Sequence, residues 1–138
     1  MHKWLLIFLP SFAFADIGLI SEFRGNGEII RQNTTDKLLA ELALDIFPND
    51  DVRTGNGRIA IKFTDDTEVR LTEHSKLIIT EYIFNPNKLD TGKLSLNFIK
   101  GTGRFISSKN KLIKRENISI RANGAVIGIR GTDFSISS

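Results

Sequence analysis

The amino-acid sequence predicts an all-β fold in a single domain. Apolar residues alternate with polar ones over short stretches, and glycine, asparagine or aspartate separates one stretch from the next. Only one stretch, residues 37–47, also fits a helical period. A chain of 138 residues, 41% of them hydrophobic, is long enough to bury one core and too short for two.

The first fifteen residues are typical of a cleaved export signal. Lys3 supplies the positive charge, residues 4–9 are apolar, and residues 13–15 read Ala-Phe-Ala, a small-x-small cleavage pattern. We therefore expect residues 1–15 to be removed and the domain to occupy residues 16–138, beginning at Asp16. A membrane anchor is the alternative, but the apolar run is far shorter than the roughly 20 residues that span a bilayer. The sequence contains no cysteine, so it offers no disulfide, thiolate ligand or lipid attachment.

The N-terminal half of the domain predicts a hairpin and then an ambiguous segment. Residues 17–23 and 28–31 alternate, and Gly25 and Gly27 between them favour a turn. In residues 37–47 the apolar positions alternate as in a strand, yet some of them also line one face of a helix that Thr35 or Asp36 could cap. We favour a strand there.

The clearest pair of strands comes next. Ile59, Ile61 and Phe63 fall on one face, and Val69 and Leu71 repeat the pattern after a short polar turn. This predicts a half-buried hairpin over residues 58–71. Further short strands are predicted at residues 77–84, 94–98, 105–106, 112–113, 118–120 and 126–136, which makes on the order of ten strands in all.

A Gly-x-Gly pattern occurs three times, each time followed two positions later by an apolar residue. The copies are Gly25-Asn-Gly-Glu-Ile29, Gly55-Asn-Gly-Arg-Ile59 and Gly101-Thr-Gly-Arg-Phe105. A repeated unit of turn and strand favours a β-roll or solenoid, although a β-sandwich could use the same turns.

Composition and motifs argue against an enzyme. Only His74 would remain after removal of the leader, and its neighbours Glu73 and Ser75 would point to the other face of a strand. No cluster has the spacing of a metal site, the Gly-x-Gly turns lack the rest of a nucleotide-binding motif, and a net charge of +3 is too small to favour nucleic acid. We expect no cofactor.

Residues 125–136 combine apolar residues, two glycines and one arginine. Arg130 carries five hydrogen-bond donors beside the permissive Gly131. The turn formed by Arg130, Gly131, Thr132 and Asp133 is therefore the candidate binding site, although bridging of strand carbonyls by the arginine is the more conservative interpretation. An unpaired last strand at residues 134–138 would leave an edge through which two copies could associate.

Several short motifs follow one another in a fixed order. They are Asp51-Val52-Arg53-Thr54-Gly55, Phe63-Thr64-Asp65-Asp66, Ser75-Lys-Leu-Ile-Ile79, Leu94-Ser-Leu96 with Gly101 or Gly103, and Arg130-Gly131-Thr132-Asp133-Phe134. This order resembles the FecR domain, the periplasmic domain of ferric-citrate-type transmembrane regulators. The resemblance covers residues 50–136 and implies turn or structural roles for Asp51, Thr54, Gly55, Asp65 and Asp66.

The chain departs from the FecR pattern at three places. Asp66 stands where the family usually has glycine, Ala122-Asn123 replaces Thr-Pro, and relatives normally continue beyond the position of Ser138. A leader also stands where the regulators carry an anti-sigma segment and a spanning helix. We therefore expect a stand-alone, C-terminally short FecR-like module, periplasmic or secreted.

The expected work of this module is binding or signalling in the bacterial cell envelope, with another protein as partner and without catalysis. A module that binds envelope polysaccharide or peptidoglycan is the alternative, and it would need an exposed aromatic platform.

Overall fold

The structure is a computed structural model that describes residues 16–32, 34, 37–127 and 133–137. The predicted leader and the residues Arg130, Gly131 and Thr132 lie outside this part of the chain. The described residues form one sheet of eleven strands, curled and open, with two single-turn 3₁₀ helices. The prediction of an all-β single domain is confirmed.

The strands are numbered in chain order. They are β1 (Gly18–Ile30), β2 (Lys37–Leu39), β3 (Asp45–Ile46), β4 (Asp51–Phe63), β5 (Glu68–Leu71), β6 (Lys76–Ile83), β7 (Lys93–Lys100), β8 (Thr102–Ile106), β9 (Ile118–Ala122), β10 (Ala125–Ile127) and β11 (Asp133–Ser137). The 3₁₀ helices occupy Leu89–Thr91 and Arg115–Asn117.

The centre of the sheet is an antiparallel meander of four long rows. Strand β1 pairs with β4 along nearly its whole length and so occupies one edge of β4. On the other edge β6 pairs with the beginning of β4 and β5 with its end, so that β5 and β6 form one interrupted row. Strands β7 and β8 continue the pattern, β7 along β6 and β8 along β5.

All four rows are irregular at the same level, which we call the crease: two of them change register there and two are interrupted. It consists of residues 25–27 in β1, 55–57 in β4, 72–75 between β5 and β6, and 101–103 at the start of β8. In β1 the register with β4 shifts between Gly25 and Gly27, which is a β-bulge. Bulges bend a strand and increase its twist, so aligned interruptions allow the sheet to curl along one line.

The Gly-x-Gly pattern was predicted to form turns, and this is wrong for its first two copies. Gly25 and Gly57 face each other within continuous strands of 13 residues each. A Cβ atom on either glycine would overlap a main-chain oxygen of the facing strand, at Asn56 or Arg24 respectively. These glycines therefore allow the two backbones to approach closely. The hairpin predicted over residues 17–31 is wrong, because residues 18–30 form the single strand β1.

Residues 37–47 form neither a helix nor one continuous strand. Strands β2 and β3 lie at its two ends, and both pair with β1. Between them the chain turns away at Ala43, whose φ is 68°, and Leu42 is 65% exposed. The turn lies opposite the part of β1 that approaches the crease, where hydrogen bonds run from Ala43 N to Ile20 O and from Ala40 N to Gly27 O.

The hairpin predicted over residues 58–71 is confirmed. Strands β4 and β5 pair in the register Ile59 to Leu71 and Ile61 to Val69, and these side chains are buried. They belong to one core that the inward faces of the rows share. Its fully buried members include Ile20, Ile29, Ile46, Val52, Ile59, Ile61, Val69, Leu77, Ile79, Leu94, Phe105 and Ile120.

The two halves of the sheet end differently. Strand β9 runs parallel to β7 and carries β10 at its outer side. Strand β11 pairs with β8 in the other half, from Asp133 opposite Ile106 to Ser137 opposite Thr102. Within the described residues, no strand pairs with the outer edge of β10 or of β11.

Candidate functional site

Gly55 lies in the crease and Thr54 directly precedes it, where the hydroxyl of Thr54 joins three segments of backbone. Thr54 is 7% exposed, and its Oγ1 donates to Thr72 O at 2.6 Å and accepts from Ser75 N at 2.8 Å. Ser75 Oγ in turn donates a hydrogen bond to Thr102 O and accepts one from Thr102 N, each at 3.1 Å. These side chains satisfy backbone groups that the interruption of the rows removes from regular pairing. The role of Thr54 in this structure is to hold the crease.

Gly55 and Gly101 complete the same junction. Gly55 O accepts from His74 N at 3.0 Å. Gly101 has a φ of 91°, and a Cβ there would lie 2.6 Å from Ser75 Cα. The exposed His74 and the buried Ser75 therefore point apart, with Ser75 Oγ occupied by the main chain. Within the part of the chain that the structure describes, no histidine side chain forms a hydrogen bond with this serine.

Asp65 anchors the turn between β4 and β5. It is 1% exposed, Tyr82 Oη donates to its Oδ1 at 2.7 Å, and Thr67 Oγ1 donates to its Oδ2 at 2.6 Å. Tyr82 also stacks on Phe63 with ring centroids 5.0 Å apart. Burial, with the nearby carboxylate, raises the pKa of Tyr82. The next residue, Asp66, takes a left-handed φ of 72°, the conformation that the turn requires.

Asp50 is a second buried carboxylate, and the sequence did not single it out. It is 1% exposed; its Oδ2 accepts from Phe47 N at 2.9 Å, and Arg31 Nε lies 3.4 Å from its Oδ1. Within the described residues Oδ1 accepts no hydrogen bond. Burial therefore raises the pKa of Asp50, against the opposing effects of the Phe47 amide and of Arg31. Its neighbour Asp51 is half-buried and forms ion pairs with Arg53 at 2.9 Å and Lys76 at 3.6 Å.

Asp133 is the member of the predicted Arg-Gly-Thr-Asp turn that the structure describes. It begins β11, and its carboxylate accepts from Arg104 Nε at 2.7 Å. The hydrogen bond from Arg104 holds the pKa of Asp133 below its usual value and raises that of Arg104. The place of Arg130, Gly131 and Thr132 in a binding site stays a prediction.

The outward face of the sheet carries a groove of about 790 Å³ between β1 and β11. Cross-strand register brings four arginines onto it from four strands, since Arg24 faces Arg58 and Arg70 faces Arg104. We call Arg24, Arg58, Arg70 and Arg104 the arginine face. Ala60, only 3% exposed, lies on the groove floor between β1 and β5.

The four arginines differ in their partners. Arg70 lies 3.2 Å from a carboxylate oxygen of Glu22 and also contacts Glu68, and Arg104 pairs with Asp133. Within the described residues Arg24 and Arg58 form no ion pair, although they stand directly opposite each other. Because neither arginine pairs with a carboxylate of the described residues, the positive charge at this end of the groove is unbalanced. Like charges directly opposite each other on a sheet also repel.

The arginine face was missed from the sequence, although one signal was present. The second and third Gly-x-Gly copies are followed directly by arginine, at Arg58 and Arg104. The first copy, which begins at Gly25, is directly preceded by Arg24. The shared position predicts a shared environment only if the copies are known to align across the sheet. That alignment depends on register, which alternation alone does not give.

Comparison with known proteins gives one family. The family model described as FecR protein matches residues 50–138. No curated protein and no solved structure matches the chain. In the part of the chain that the structure describes, no helix is long and apolar enough to cross a membrane.

Proposed function

Because this chain belongs to the FecR protein family, we propose that it is an exported, non-catalytic binding and signalling module of the cell envelope that acts by contact with another protein. The family supports an envelope-related signalling or regulatory domain. Export is part of the proposal. Residues 1–15 would direct it as a leader that is then removed. N-terminal sequencing of the purified protein should begin at Asp16, and an intact Met1 would contradict export by this leader.

The outer edge of β11 is the observation that carries the proposal of a protein partner. Its five residues pair with β8 on one side, and no described strand covers the other side. Such an edge presents main-chain donors and acceptors to an extended segment of another chain. Ile136 of this strand is 1% exposed, so β11 is packed onto the core and can hold an added strand in place.

A photo-reactive amino acid placed at Ser135 of β11 tests the proposal in intact envelopes. We expect one dominant protein adduct from this position and none from the control position Lys109, an exposed loop residue. An adduct of the chain with itself would identify the partner as a second copy, and the mass in solution would then be that of a dimer. A strict monomer without any protein adduct would refute the proposal.

The alternative is a module that binds envelope polysaccharide or peptidoglycan. Aromatic platforms are the usual means of holding sugar rings. The single tyrosine of the chain, Tyr82, is 8% exposed and stacked on Phe63. Retention of the protein on purified peptidoglycan, together with no adduct at Ser135, would favour this alternative.

A further inference from the structure

The arginine face is a cationic surface on the outward side of the sheet, and two of its four members form no ion pair within the described residues. Its side chains lie on the outward faces of β1, β4, β5 and β8, away from the core. Within the groove the four arginines are accompanied by one acidic residue, Glu22. Arg70 and Arg104 also pair with Glu68 and Asp133 beside the groove, so the uncompensated positive charge lies at Arg24 and Arg58.

Arg24 and Arg58 are the part of this surface that is ready for a ligand. They stand opposite each other in the β1 and β4 pair without a carboxylate from the described residues. A guanidinium presents a planar fork of donors that matches a carboxylate in two hydrogen bonds. One carboxylate between the two arginines would satisfy donors on both and remove their repulsion.

The remaining lining indicates what kind of anion fits. Leu42, whose side chain is 65% exposed, is the large apolar residue that lines the groove from outside the core. Glu22 inside the groove, and Glu68 and Asp133 beside it, would repel an unbroken row of negative charges. A ligand in which separate acidic groups alternate with apolar ones therefore complements this surface better than a uniform polyanion does.

We propose that the arginine face binds an acidic peptide segment of a partner protein, with a carboxylate of the segment held between Arg24 and Arg58. The groove reaches Ser135 of β11, so a segment lying in it would continue toward the open edge of that strand. This inference names the chemistry of the partner and in that sense rests on the proposed function.

The test uses a fluorescein-labelled peptide in which glutamate alternates with leucine, and its counterpart with glutamine in place of glutamate. Fluorescence anisotropy should show saturable binding of the acidic peptide to the full chain and much weaker binding of the neutral one. The double variant R24Q/R58Q should bind the acidic peptide about tenfold more weakly. Raising the salt from about 0.05 to about 0.5 M should weaken binding to the unsubstituted protein and have less effect on the variant.

The matched control is R115Q/R121Q, which removes the same charge from exposed positions outside the groove. It should bind the peptide as the unsubstituted protein does, and equal circular-dichroism spectra of the two variants would show that both fold. Equal weakening by both variants, or no saturable binding of the peptide, would overturn the inference.

Tighter binding of polyphosphate than of the peptide would also overturn it, in favour of a uniform polyanion. None of these measurements uses the envelope partner, so their failure is distinct from the absence of an adduct at Ser135.

Discussion

The inward and outward faces of β4 place opposite demands on the same strand. Inward, Ile59, Ile61 and Phe63 are at most 2% exposed and pack in the shared core. Outward, Arg58 and Lys62 are exposed, and Arg58 has no ion pair within the described residues. The inward face therefore holds the fold together, whereas the outward face carries charge that the described residues leave uncompensated at Arg58.

Removing an inward side chain should have the largest effect. Ile61 is 0% exposed, so Ile61→Ala deletes buried methylene and methyl groups and leaves a cavity. We expect the free energy of unfolding to fall by about 3 kcal/mol, measured by urea denaturation. The control Leu39→Ala, at a side chain that is 80% exposed, should change it by less than about 0.5 kcal/mol. Equal losses would contradict the contrast between buried and exposed positions.

The crease tests whether buried polar groups on the inward side depend on their partners. Thr54→Val keeps the shape of the side chain but leaves Ser75 N and Thr72 O without the hydroxyl that they share. We expect a loss of about 2 kcal/mol in the free energy of unfolding.

The matched control for Thr54→Val is Thr80→Val, which removes an exposed hydrogen bond to Ser95 O. It should cost less than about 0.5 kcal/mol, because water replaces the lost partner. Equal losses in the free energy of unfolding would show that the buried hydroxyl of Thr54 stabilises the fold no more than an exposed one does.

Asp50 gives a dependence on pH whose sign is fixed by burial. Burial raises its pKa above 3.8, so across the interval between the unfolded and native pKa values the native state keeps a proton that the unfolded chain has lost. The contribution of Asp50 to the free energy of unfolding is therefore present below pH 3.8 and is lost as the pH rises through the native pKa.

Urea midpoints of the unsubstituted protein and of Asp50→Asn, measured from acid to neutral pH, isolate this contribution. As the pH rises, the urea midpoint of the unsubstituted protein should fall relative to that of Asp50→Asn. A constant difference would show that Asp50 has the same pKa in the native and unfolded states.

An outward arginine should have the smallest effect on stability. Arg58→Gln removes one of two facing positive charges, so the free energy of unfolding should stay the same or rise by up to about 0.5 kcal/mol. The comparison is Arg104→Gln, which breaks the exposed ion pair with Asp133 and should lower it slightly. Urea denaturation at low salt measures both, and a clear loss from Arg58→Gln would give that residue a structural role.

The sequence predicted those features that depend on alternation alone. The period of two in residues 58–71 placed Ile59, Ile61 and Val69 inward, and the structure confirms this hairpin. The glycines of residues 25–27 and 55–57 were misinterpreted because freedom from a side chain suits a turn and a close approach of strands equally well. Residues 37–47 alternate in sequence, but strand β2 ends at Leu39 and the chain turns at Ala43, which leaves Leu42 65% exposed.

The candidate surface lay beyond prediction for a different reason. The arginine face is assembled from strands that are distant in the chain, and its members meet only because Arg24 faces Arg58 and Arg70 faces Arg104. A shift of one residue in either pairing would turn one arginine of each pair toward the core. Charge counts along the chain cannot show such a cluster before the register is known.

The crease also limits how the length of this chain can vary. Ile29, Ile59 and Phe105 each stand two positions after a crease glycine, and all three are at most 1% exposed. Inserting or deleting one residue between such a glycine and its apolar neighbour would reverse the faces of everything downstream in that row. We therefore expect changes in length to be tolerated best in the connections at the ends of the rows, so that the spacing from the crease is as much a part of the fold as the residues themselves.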